Sequence, residues 1–369
     1  MNPASYKRIV LNSRPETDIE PTTFRAETLP FSSLEIETGQ VLVKVTWLSL
    51  DPAMRGWLRD RRSYLPPIQI GQTMRASGVG VVLKSLSKDF EVGDLVTGAL
   101  GWTEFAAMNE ADVRKIIVSN GVQSVDFLNT LGISGLTAYF GLRDICDLKP
   151  GDKLVVSGAA GSVGSLACQL GKRAGATVYA IAGAPDKCEW LEKELGVDRV
   201  FNYKSSTFHQ DFEEIGFIDA FFDNVGGDIL DMILTRLNKG ARIAMCGAIS
   251  QYNSVEAKGL QNYMNLIAQR GKMQGFIVID YAKEFPAAIE ELSRGLADGS
   301  IKRKFHIVEG LEQAPIALPM LFSGGNTGKL CVCGEGVRRA ADEAGVRHRY
   351  ISDLDQASIH TRIPLSLFT

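Results

Sequence analysis

The feature that most constrains the fold is a glycine-rich turn between a short apolar strand and a helix. At the end of the strand pattern at 153–157, the chain reads Ser157-Gly158-Ala159-Ala160-Gly161-Ser162-Val163-Gly164, with glycines three residues apart. Glycine lets a backbone turn tightly and approach a pyrophosphate, whose charge is met by the amides at the start of the helix. The spacing departs slightly from G-x-G-x-x-G, so the turn predicts dinucleotide binding, with helix–strand packing as the alternative.

Strands and helices alternate around this turn, which indicates repeated βαβ units. Strand patterns occupy 153–157, 177–181, 199–202, 218–222, 242–246 and 273–278, and helical patterns occupy 162–173, 186–195, 229–237, 261–270 and 285–298. Six strands in this rhythm predict an α/β fold with a doubly wound parallel sheet and helices on both faces.

A second region, rich in short strands, precedes the first. Residues 41–51 alternate apolar and polar side chains, and brief strand patterns follow at 78–83, 94–98 and 104–108. Further strand patterns at 305–308 and 329–333 lie beyond the doubly wound region and predict a return to the β-rich part. We therefore expect a β-rich domain from 1–130 and 300–335, a nucleotide domain from 131–299, and a helical or disordered tail from 336–369.

Composition excludes several functional classes. The chain has 369 residues, with 40 basic and 43 acidic side chains and a formal charge of -3, which supplies no basic field for nucleic acid or an anionic membrane. No apolar stretch approaches the roughly 20 residues of a membrane helix, and the N-terminus lacks the core of a signal peptide. Six cysteines are too sparse for a disulfide scaffold, so we expect a cytoplasmic protein.

The second strand of the nucleotide domain indicates which dinucleotide is bound. Sites for NAD place an acidic residue at the end of this strand. Here the strand ends in Ala182-Gly183, no acid occurs between 165 and 185, and the first charged pair is Asp186-Lys187. A lysine would attract the 2'-phosphate of NADPH, so NADPH is favoured over NADH. A solvated lysine on the first turn of a helix is the alternative.

A set of motifs carries a resemblance to a known family. They are Ser49-Leu50-Asp51-Pro52-Ala53-Met54-Arg55-Gly56, Gly101-Trp102-Thr103-Glu104, Gly135-Leu136-Thr137-Ala138-Tyr139-Phe140-Gly141, the glycine turn, Phe201-Asn202-Tyr203-Lys204, Asp223-Asn224-Val225-Gly226-Gly227, Cys246-Gly247-Ala248-Ile249-Ser250-Gln251-Tyr252-Asn253 and Asn326-Thr327-Gly328-Lys329. With these motifs the chain resembles the zinc-independent branch of the medium-chain dehydrogenase/reductases that includes prostaglandin and alkenal double-bond reductases. The resemblance implies a GroES-like β-rich domain, a Rossmann domain that binds NADPH, and a homodimer.

The resemblance also implies the residues of the cofactor site. The turn from Gly161 through Ser162 and Val163 to Gly164 would hold the pyrophosphate, and Lys187 and Tyr203 would hold the 2'-phosphate. The nicotinamide half would be lined by Asn224, Cys246, Gly247, Ala248, Ile249, Ser250, Phe276, Ile277, Val278 and Asn326. Taken alone, Tyr203 reads as a strand-end aromatic residue and Asn326 as a turn residue.

No metal is expected. Zinc-dependent relatives carry Gly-His-Glu where this chain has Thr73-Met74-Arg75, and thioether and guanidinium groups do not replace imidazole and carboxylate as zinc ligands. We expect hydride addition to the β-carbon of an α,β-unsaturated ketone or aldehyde, with Tyr252 as the catalytic hydrogen-bond donor. Weaker candidates for the wall of the substrate pocket are Ala53, Arg55, Trp57 and Tyr64. A quinone reductase and a non-catalytic NADPH-binding protein are the alternatives.

Overall fold

The computed structural model describes residues 3–118 and 121–334. Within them the chain folds into two compact units. The β-rich unit contains the residues up to Leu128 and those from Arg303 on, and the doubly wound unit spans Asn129–Lys302. The boundaries predicted from the sequence are 130/131 and 299/300, and the tail predicted from 336 lies outside the described residues.

Within its described residues, the first part of the β-rich unit contains seven strands and one short α-helix. Strands β1 and β2 form an antiparallel pair that the sequence patterns did not predict. The elements, numbered along the chain, are β1 (Ser5–Leu11), β2 (Phe24–Pro30), β3 (Gln40–Ser49), α1 (Met54–Trp57), β4 (Gly78–Ser85), β5 (Leu95–Gly98), β6 (Phe105–Asn109) and β7 (Val113–Lys115). Strand β3 is buried along most of its length because it pairs with both β4 and β6.

The doubly wound unit alternates strands and helices, as predicted. Its elements are α2 (Ile133–Phe140), β8 (Lys153–Val156), α3 (Ser162–Arg173), β9 (Thr177–Ala182), α4 (Pro185–Lys193), β10 (Arg199–Asn202), α5 (Phe208–Glu213), β11 (Ile218–Asp223), α6 (Gly227–Ile233), β12 (Leu237–Met245), α7 (Met264–Gln269), β13 (Lys272–Gly275) and α8 (Phe285–Ala297). The six strands form one parallel sheet in the order β10-β9-β8-β11-β12-β13. The order reverses between β8 and β11, which places a switch point at their carboxyl ends.

The chain then returns to the β-rich unit, also as predicted. The last elements are β14 (Phe305–Glu309), α9 (Ala314–Ala317), α10 (Met320–Ser323) and β15 (Lys329–Cys333). Strand β15 pairs antiparallel with β3, so that the larger sheet runs β14-β15-β3-β4-β5-β7 with β6 also on β3. The predicted α/β class, with a doubly wound parallel sheet and a β-rich unit, is confirmed.

Each unit has its own apolar core. The β-rich core joins β-strand side chains such as Val43 and Val82 with Leu318 from the returning segment. The core of the doubly wound unit joins Val155, Phe221 and Ile243 from neighbouring strands. Burial of this apolar surface is the main force that holds each unit together. No helix in the described part of the chain is long and apolar enough to cross a membrane.

Candidate functional site

The glycine turn leads from β8 into α3, as the sequence predicts. A Cβ atom at Gly164 would lie 2.8 Å from the Cα atom of Ala159, so only glycine lets α3 pack this closely on the turn. The helix begins at Ser162, and its first turn carries no acidic side chain. The hydroxyl of Ser162 donates a hydrogen bond of 2.7 Å to the Oδ1 atom of Asn129. The start of α3 therefore has the geometry and charge that suit an anion.

A buried network joins the ends of β8 and β11 beside this turn. The hydroxyl of Ser157 donates a 2.6 Å hydrogen bond to Asp223 Oδ1 and accepts one of 2.9 Å from the amide of Asn224. The side-chain amide of Asn224 in turn donates to the carbonyl of Ser157 over 2.7 Å. Burial raises the pKa of Asp223, and the hydrogen bonds from Ser157, Val225 and Gly226 oppose this rise. Asn224 is thus held in a fixed position next to the glycine turn.

Ser157 and Asp223 were not predicted as site residues. Asp223 is fully buried, yet it follows directly on the apolar residues of β11 and precedes a turn with two glycines. A carboxylate at the end of a buried parallel strand must find hydrogen-bond donors, because burying an unpaired charge costs roughly several kcal/mol. An acidic residue directly after a buried strand was therefore the sequence signal that could have identified Asp223.

Lys187, in the first turn of α4 after β9, and Tyr203, directly after β10, follow the ends of two neighbouring strands. The Tyr203 ring covers Gly183, where an added Cβ atom would lie 2.5 Å from the ring. Burial lowers the pKa of Lys187; Asp186 opposes this shift, and the neighbouring Lys204 adds to it. Lys204 lies 5.8 Å from the centroid of the Tyr203 ring and was missed as a candidate, although it follows Tyr203 directly. The strand end therefore presents two nearby lysines and an aromatic ring.

The loop from Cys246 to Ser250 folds over the end of β11. The amides of Cys246 and Gly247 donate to the carbonyl of Asp223 at 2.9 and 3.0 Å. The hydroxyl of Ser250 donates to the carbonyl of Val225 at 2.7 Å. Burial, with a smaller contribution from Asp223, raises the pKa of the Cys246 thiol to about 12. The thiol stays protonated near neutral pH, so it is not a nucleophile.

Tyr252 lies just beyond this loop with its hydroxyl turned back towards it. The amide of Ala248 donates a 3.1 Å hydrogen bond to the phenolic oxygen. The side chain is half-buried. A phenol that accepts one hydrogen bond becomes a stronger donor through its own O–H, because bonds in a chain polarise one another. The loop thus fixes the position of the hydroxyl and strengthens it as a donor.

Phe276, Ile277 and Val278 do not extend β13, so this part of the predicted strand 273–278 is wrong. The last paired residues are Met245 of β12 and Gly275 of β13. Because β12 ends there and β13 is the edge strand, residues 276–278 have no strand to pair with. Val278 instead begins a 3₁₀ helix that runs to Glu284. The Phe276 ring packs edge-on against Phe222 of β11 at 6.3 Å between centroids.

Arg55, in the β-rich unit, is fully buried. Its guanidinium donates to the carbonyl oxygens of Pro15, Glu16 and Thr17, with the shortest bond, 2.7 Å, to Thr17. We infer that Arg55 holds the segment 15–17 against α1. Ala53, at the start of α1, is half-buried.

Trp57 and Tyr64 are joined in the same unit. The indole N–H of Trp57 donates to the Tyr64 hydroxyl at 3.3 Å, and Tyr64 is 47% exposed. Asn326 lies in the turn before β15, where its side-chain amide donates to the carbonyl of Gly328 at 3.0 Å. Of the predicted site residues, those between 161 and 252 lie at the carboxyl ends of β8, β9, β10, β11 and β12. Asn326 and the residues from Ala53 to Tyr64 belong to the β-rich unit.

Potential metal ligands are scattered. Within residues 3–118 and 121–334, no group of three or more His, Cys, Asp or Glu side chains is arranged to hold a metal ion.

Comparison with known proteins identifies the family. Residues 7–116 match the model described as the N-terminal domain of oxidoreductase, and residues 162–294 match the model described as zinc-binding dehydrogenase. The chain is 41% identical to a Bacillus subtilis protein that bears the name of an NADP-dependent oxidoreductase, over 88% of this chain and 97% of that protein. This chain belongs to the medium-chain dehydrogenase/reductase family. It is an oxidoreductase.

Two further relatives show which enzymes of the family this chain is similar to. The 2-alkenal reductase (NADP(+)-dependent) of Nicotiana tabacum is 37% identical, over 80% of this chain and 87% of its own. The solved structure of CurA from Vibrio vulnificus in complex with NADPH is 36% identical and superimposes with a TM-score of 0.84. It covers 89% of this chain and 99% of its own. The predicted resemblance to alkenal reductases of this family is confirmed.

Proposed function

We propose that this chain reduces the carbon–carbon double bond of α,β-unsaturated ketones and aldehydes, with NADPH as the reductant. The observation that carries the proposal is the Tyr252 hydroxyl, held at the end of β12 by the Ala248 amide at 3.1 Å. The names of the tobacco alkenal reductase and of the NADPH complex of CurA support the same reaction class and cofactor.

The residues of the doubly wound unit fit NADPH. Gly161 and Gly164 bring the backbone and the start of α3 to the position of a pyrophosphate, with no carboxylate in the first helical turn to repel it. Lys187 and Lys204 lie close together beside Tyr203, which suits the additional phosphate of NADPH. Asn224 and the loop 246–250 lie next to the glycine turn, at the carboxyl end of β11. When bound, NADPH supplies the hydride that adds to the β-carbon of the substrate.

Tyr252 acts on the substrate carbonyl. Negative charge develops on that oxygen as the double bond is reduced, and a positioned donor stabilises the charge more than it stabilises the neutral ketone. The hydroxyl would also relay a proton to the α-carbon, and the phenolate that this leaves would take a proton back from solvent. Cys246 takes no part as a nucleophile, because burial keeps its thiol protonated.

A substrate panel tests the reaction class. Purified protein is mixed with NADPH and, in turn, 4-hydroxynonenal, an aryl enone and a naphthoquinone, and loss of NADPH absorbance is followed. We expect the fastest oxidation with the enal and enone. Oxidation with the quinone alone would favour a quinone reductase, and no oxidation with any of the three substrates would favour a non-catalytic NADPH-binding protein.

Replacement of Tyr252 with Phe tests the residue. We expect Tyr252→Phe to lower kcat about 10²-fold or more, the range for positioned acid catalysis, with NADPH affinity nearly unchanged. Tyr263→Phe is the matched control, because Tyr263 is 55% exposed at the start of α7. Equal turnover in the two variants would refute the role of Tyr252.

We also propose that the enzyme works as a cytoplasmic homodimer. Strand β13 is an edge of the six-stranded sheet, and α7, which packs on β12, exposes Met264 and Ile267. An unpaired strand edge next to exposed apolar side chains suits a second copy of the chain. Size-exclusion chromatography with light scattering measures the mass of the protein in solution, and a monomer at micromolar concentration would refute the proposed homodimer.

A further inference from the structure

The turn that follows β11 supports the loop 246–250 from below. Amides of the loop donate to main-chain carbonyls of the turn: those of Cys246 and Gly247 to Asp223 at 2.9 and 3.0 Å, that of Ile249 to Asn224 at 3.2 Å and that of Ser250 to Val225 at 3.1 Å. The Ser250 hydroxyl adds a bond of 2.7 Å to the Val225 carbonyl. The loop therefore takes its position from the main chain of residues 223–225.

The carboxylate of Asp223 shapes this turn. Its Oδ1 atom accepts hydrogen bonds from the amides of Val225 and Gly226 at 3.0 and 3.1 Å, and its Oδ2 atom accepts from the Gly226 amide at 3.1 Å. The Ser157 hydroxyl, at the end of β8, donates to Oδ1 at 2.6 Å. Asp223 is 0% exposed, so water cannot replace these acceptors. The carboxylate thus fixes the main chain that carries the loop.

The loop passes this position on to Tyr252. The Ala248 amide, inside the supported segment, donates to the phenolic oxygen at 3.1 Å, and the Tyr252 amide donates to the Ile249 carbonyl at 3.4 Å. A Cβ atom added at Gly247 would lie 3.1 Å from the phenolic oxygen, so the phenol also lies close against the main chain there. The hydroxyl is therefore held by residues 247–249, which the turn anchors.

We propose that Asp223 is a positioning residue for Tyr252. Its carboxylate fixes the turn 223–226, the turn holds the loop 246–250, and the loop holds the phenol where it donates to the substrate carbonyl. Asp223 is buried beneath the turn, so it acts through Tyr252 and exchanges no proton with the substrate. This inference rests on the proposed enone reduction, in which Tyr252 is the hydrogen-bond donor. Every link lies within the doubly wound unit.

Replacement of Asp223 with Asn tests the first link. Asparagine keeps the size of the side chain and one oxygen, but its NH2 group replaces the other acceptor and faces the Gly226 amide, donor against donor. The turn must move to relieve this contact, and the loop and the phenol move with it. A misplacement of about 1 Å can cost about 10²-fold in rate. We therefore expect Asp223→Asn to lower kcat for 4-hydroxynonenal about 10- to 100-fold.

A double-mutant cycle with Tyr252→Phe separates positioning from general damage to the fold. Once the hydroxyl is gone, Asp223→Asn has little left to misplace, so it should lower kcat of Tyr252→Phe less than about 3-fold. Asp219→Asn is the matched control on the same strand, because Asp219 accepts from the Lys153 amide at 2.9 Å and the Asn238 side chain at 2.7 Å. It should change kcat by one factor in both backgrounds. Equal factors for Asp223→Asn in both backgrounds would overturn the proposal.

Nuclear magnetic resonance provides a readout that does not need turnover. The protein is labelled with carbon-13 at the ζ carbon of its tyrosines, and the Tyr252 resonance is the one absent from Tyr252→Phe. We expect Asp223→Asn to move this resonance towards that of the exposed Tyr263, because the bond from the Ala248 amide is weakened. Asp219→Asn should leave it in place. An unmoved resonance in Asp223→Asn, or an equal movement in Asp219→Asn, would overturn the proposal.

The two measurements also separate this inference from the proposed function. If the wild type reduces no enone, the proposed reaction fails, and the resonance alone then decides whether Asp223 positions the phenol. If Asp223→Asn does not fold, Ser157→Ala takes its place in both measurements under the same criteria, because it removes the 2.6 Å hydrogen bond to the carboxylate.

Discussion

Replacement of Lys329 with Met should strongly destabilise the β-rich unit. Lys329 is only 1% exposed, and its ammonium group donates to the carbonyl of Leu50 at 3.3 Å and pairs with Asp51. The hydroxyl of Ser49 donates to the same carboxylate. These interactions tie the end of β3 to β15, which pair through Ser49 and Cys331. They also join the turn that contains Asn326 to the segment that leads into α1.

The magnitude follows from the burial of the pair. Removing one partner of a fully buried ion pair costs roughly 3–5 kcal/mol, and breaking an exposed pair costs about 1 kcal/mol or less. Lys329 is 1% exposed but Asp51 is 29% exposed, so we expect an intermediate cost of about 2–4 kcal/mol. At about 2–4 °C per kcal/mol for a domain of this size, Lys329→Met should lower the melting temperature by about 4–16 °C. Removing both charges leaves no unpaired ion, so Lys329→Met combined with Asp51→Asn should recover much of this loss.

Thermal unfolding, followed by circular dichroism or calorimetry, measures the four proteins of this double-mutant cycle. Lys193→Met is the matched control, since Lys193 is 70% exposed and pairs with Glu189 one helical turn away. An exposed pair of this kind contributes about 0.3–0.5 kcal/mol. If Lys329→Met melts no lower than Lys193→Met, or if the double variant is less stable than either single variant, the reasoning from burial is wrong.

Three further predictions concern the doubly wound unit. Lys187→Ala should raise KM for NADPH about 10- to 100-fold with little effect on KM for NADH, because a charged hydrogen bond to the 2'-phosphate contributes roughly 1.5–3 kcal/mol. Equal changes in KM for the two cofactors in steady-state assays would contradict the assignment of Lys187 to the phosphate. Gly164→Ala should lower the free energy of unfolding in urea by about 1–3 kcal/mol, because its Cβ atom would lie 2.8 Å from the Ala159 Cα atom. Gly259→Ala is the control, because its Cβ atom would have nothing within 4 Å; similar urea midpoints for the two variants would contradict the prediction. Cys246 is partly exposed, yet the pKa of its thiol is raised to about 12, so it should react with iodoacetamide at pH 8 about 10³-fold more slowly than a thiol of ordinary pKa; rapid labelling, measured by mass spectrometry, would contradict the raised pKa.

The repeating elements were predictable because local sequence patterns reflect burial. The bounds predicted for the helix that begins at Ser162 and for the strands Arg199–Asn202 and Lys329–Cys333 match the structure. In these segments glycines, charged residues or prolines mark the ends, and the apolar period is clear. The β1–β2 pair was missed because neither strand alternates regularly: Ile9, Val10 and Leu11 of β1 are all buried, and only Phe24 of β2 is buried.

The candidate site was predictable only in part, because its interactions join distant segments. The glycine turn and the Tyr203 motif are local signals, and both are visible in one sequence. The hydrogen bond from Ser157 to Asp223, 66 residues away, has no such signal. The end of β13 at Gly275 likewise depends on where the neighbouring strand ends.

The sequence by itself determined the order of strands and helices, the glycine turn, and the absence of an acid at the end of β9. These follow from hydrophobic period and backbone sterics, which act between near neighbours. Only the tertiary structure decided that Lys204 lies close enough to Lys187 to lower the pKa of Lys187. It also decided that Arg55 binds backbone carbonyls, and that Arg75 lies over Trp57 without a carboxylate partner among the described residues. The physical reason is that a charge acts through the groups that surround it, and the folded chain brings those groups together from separate segments.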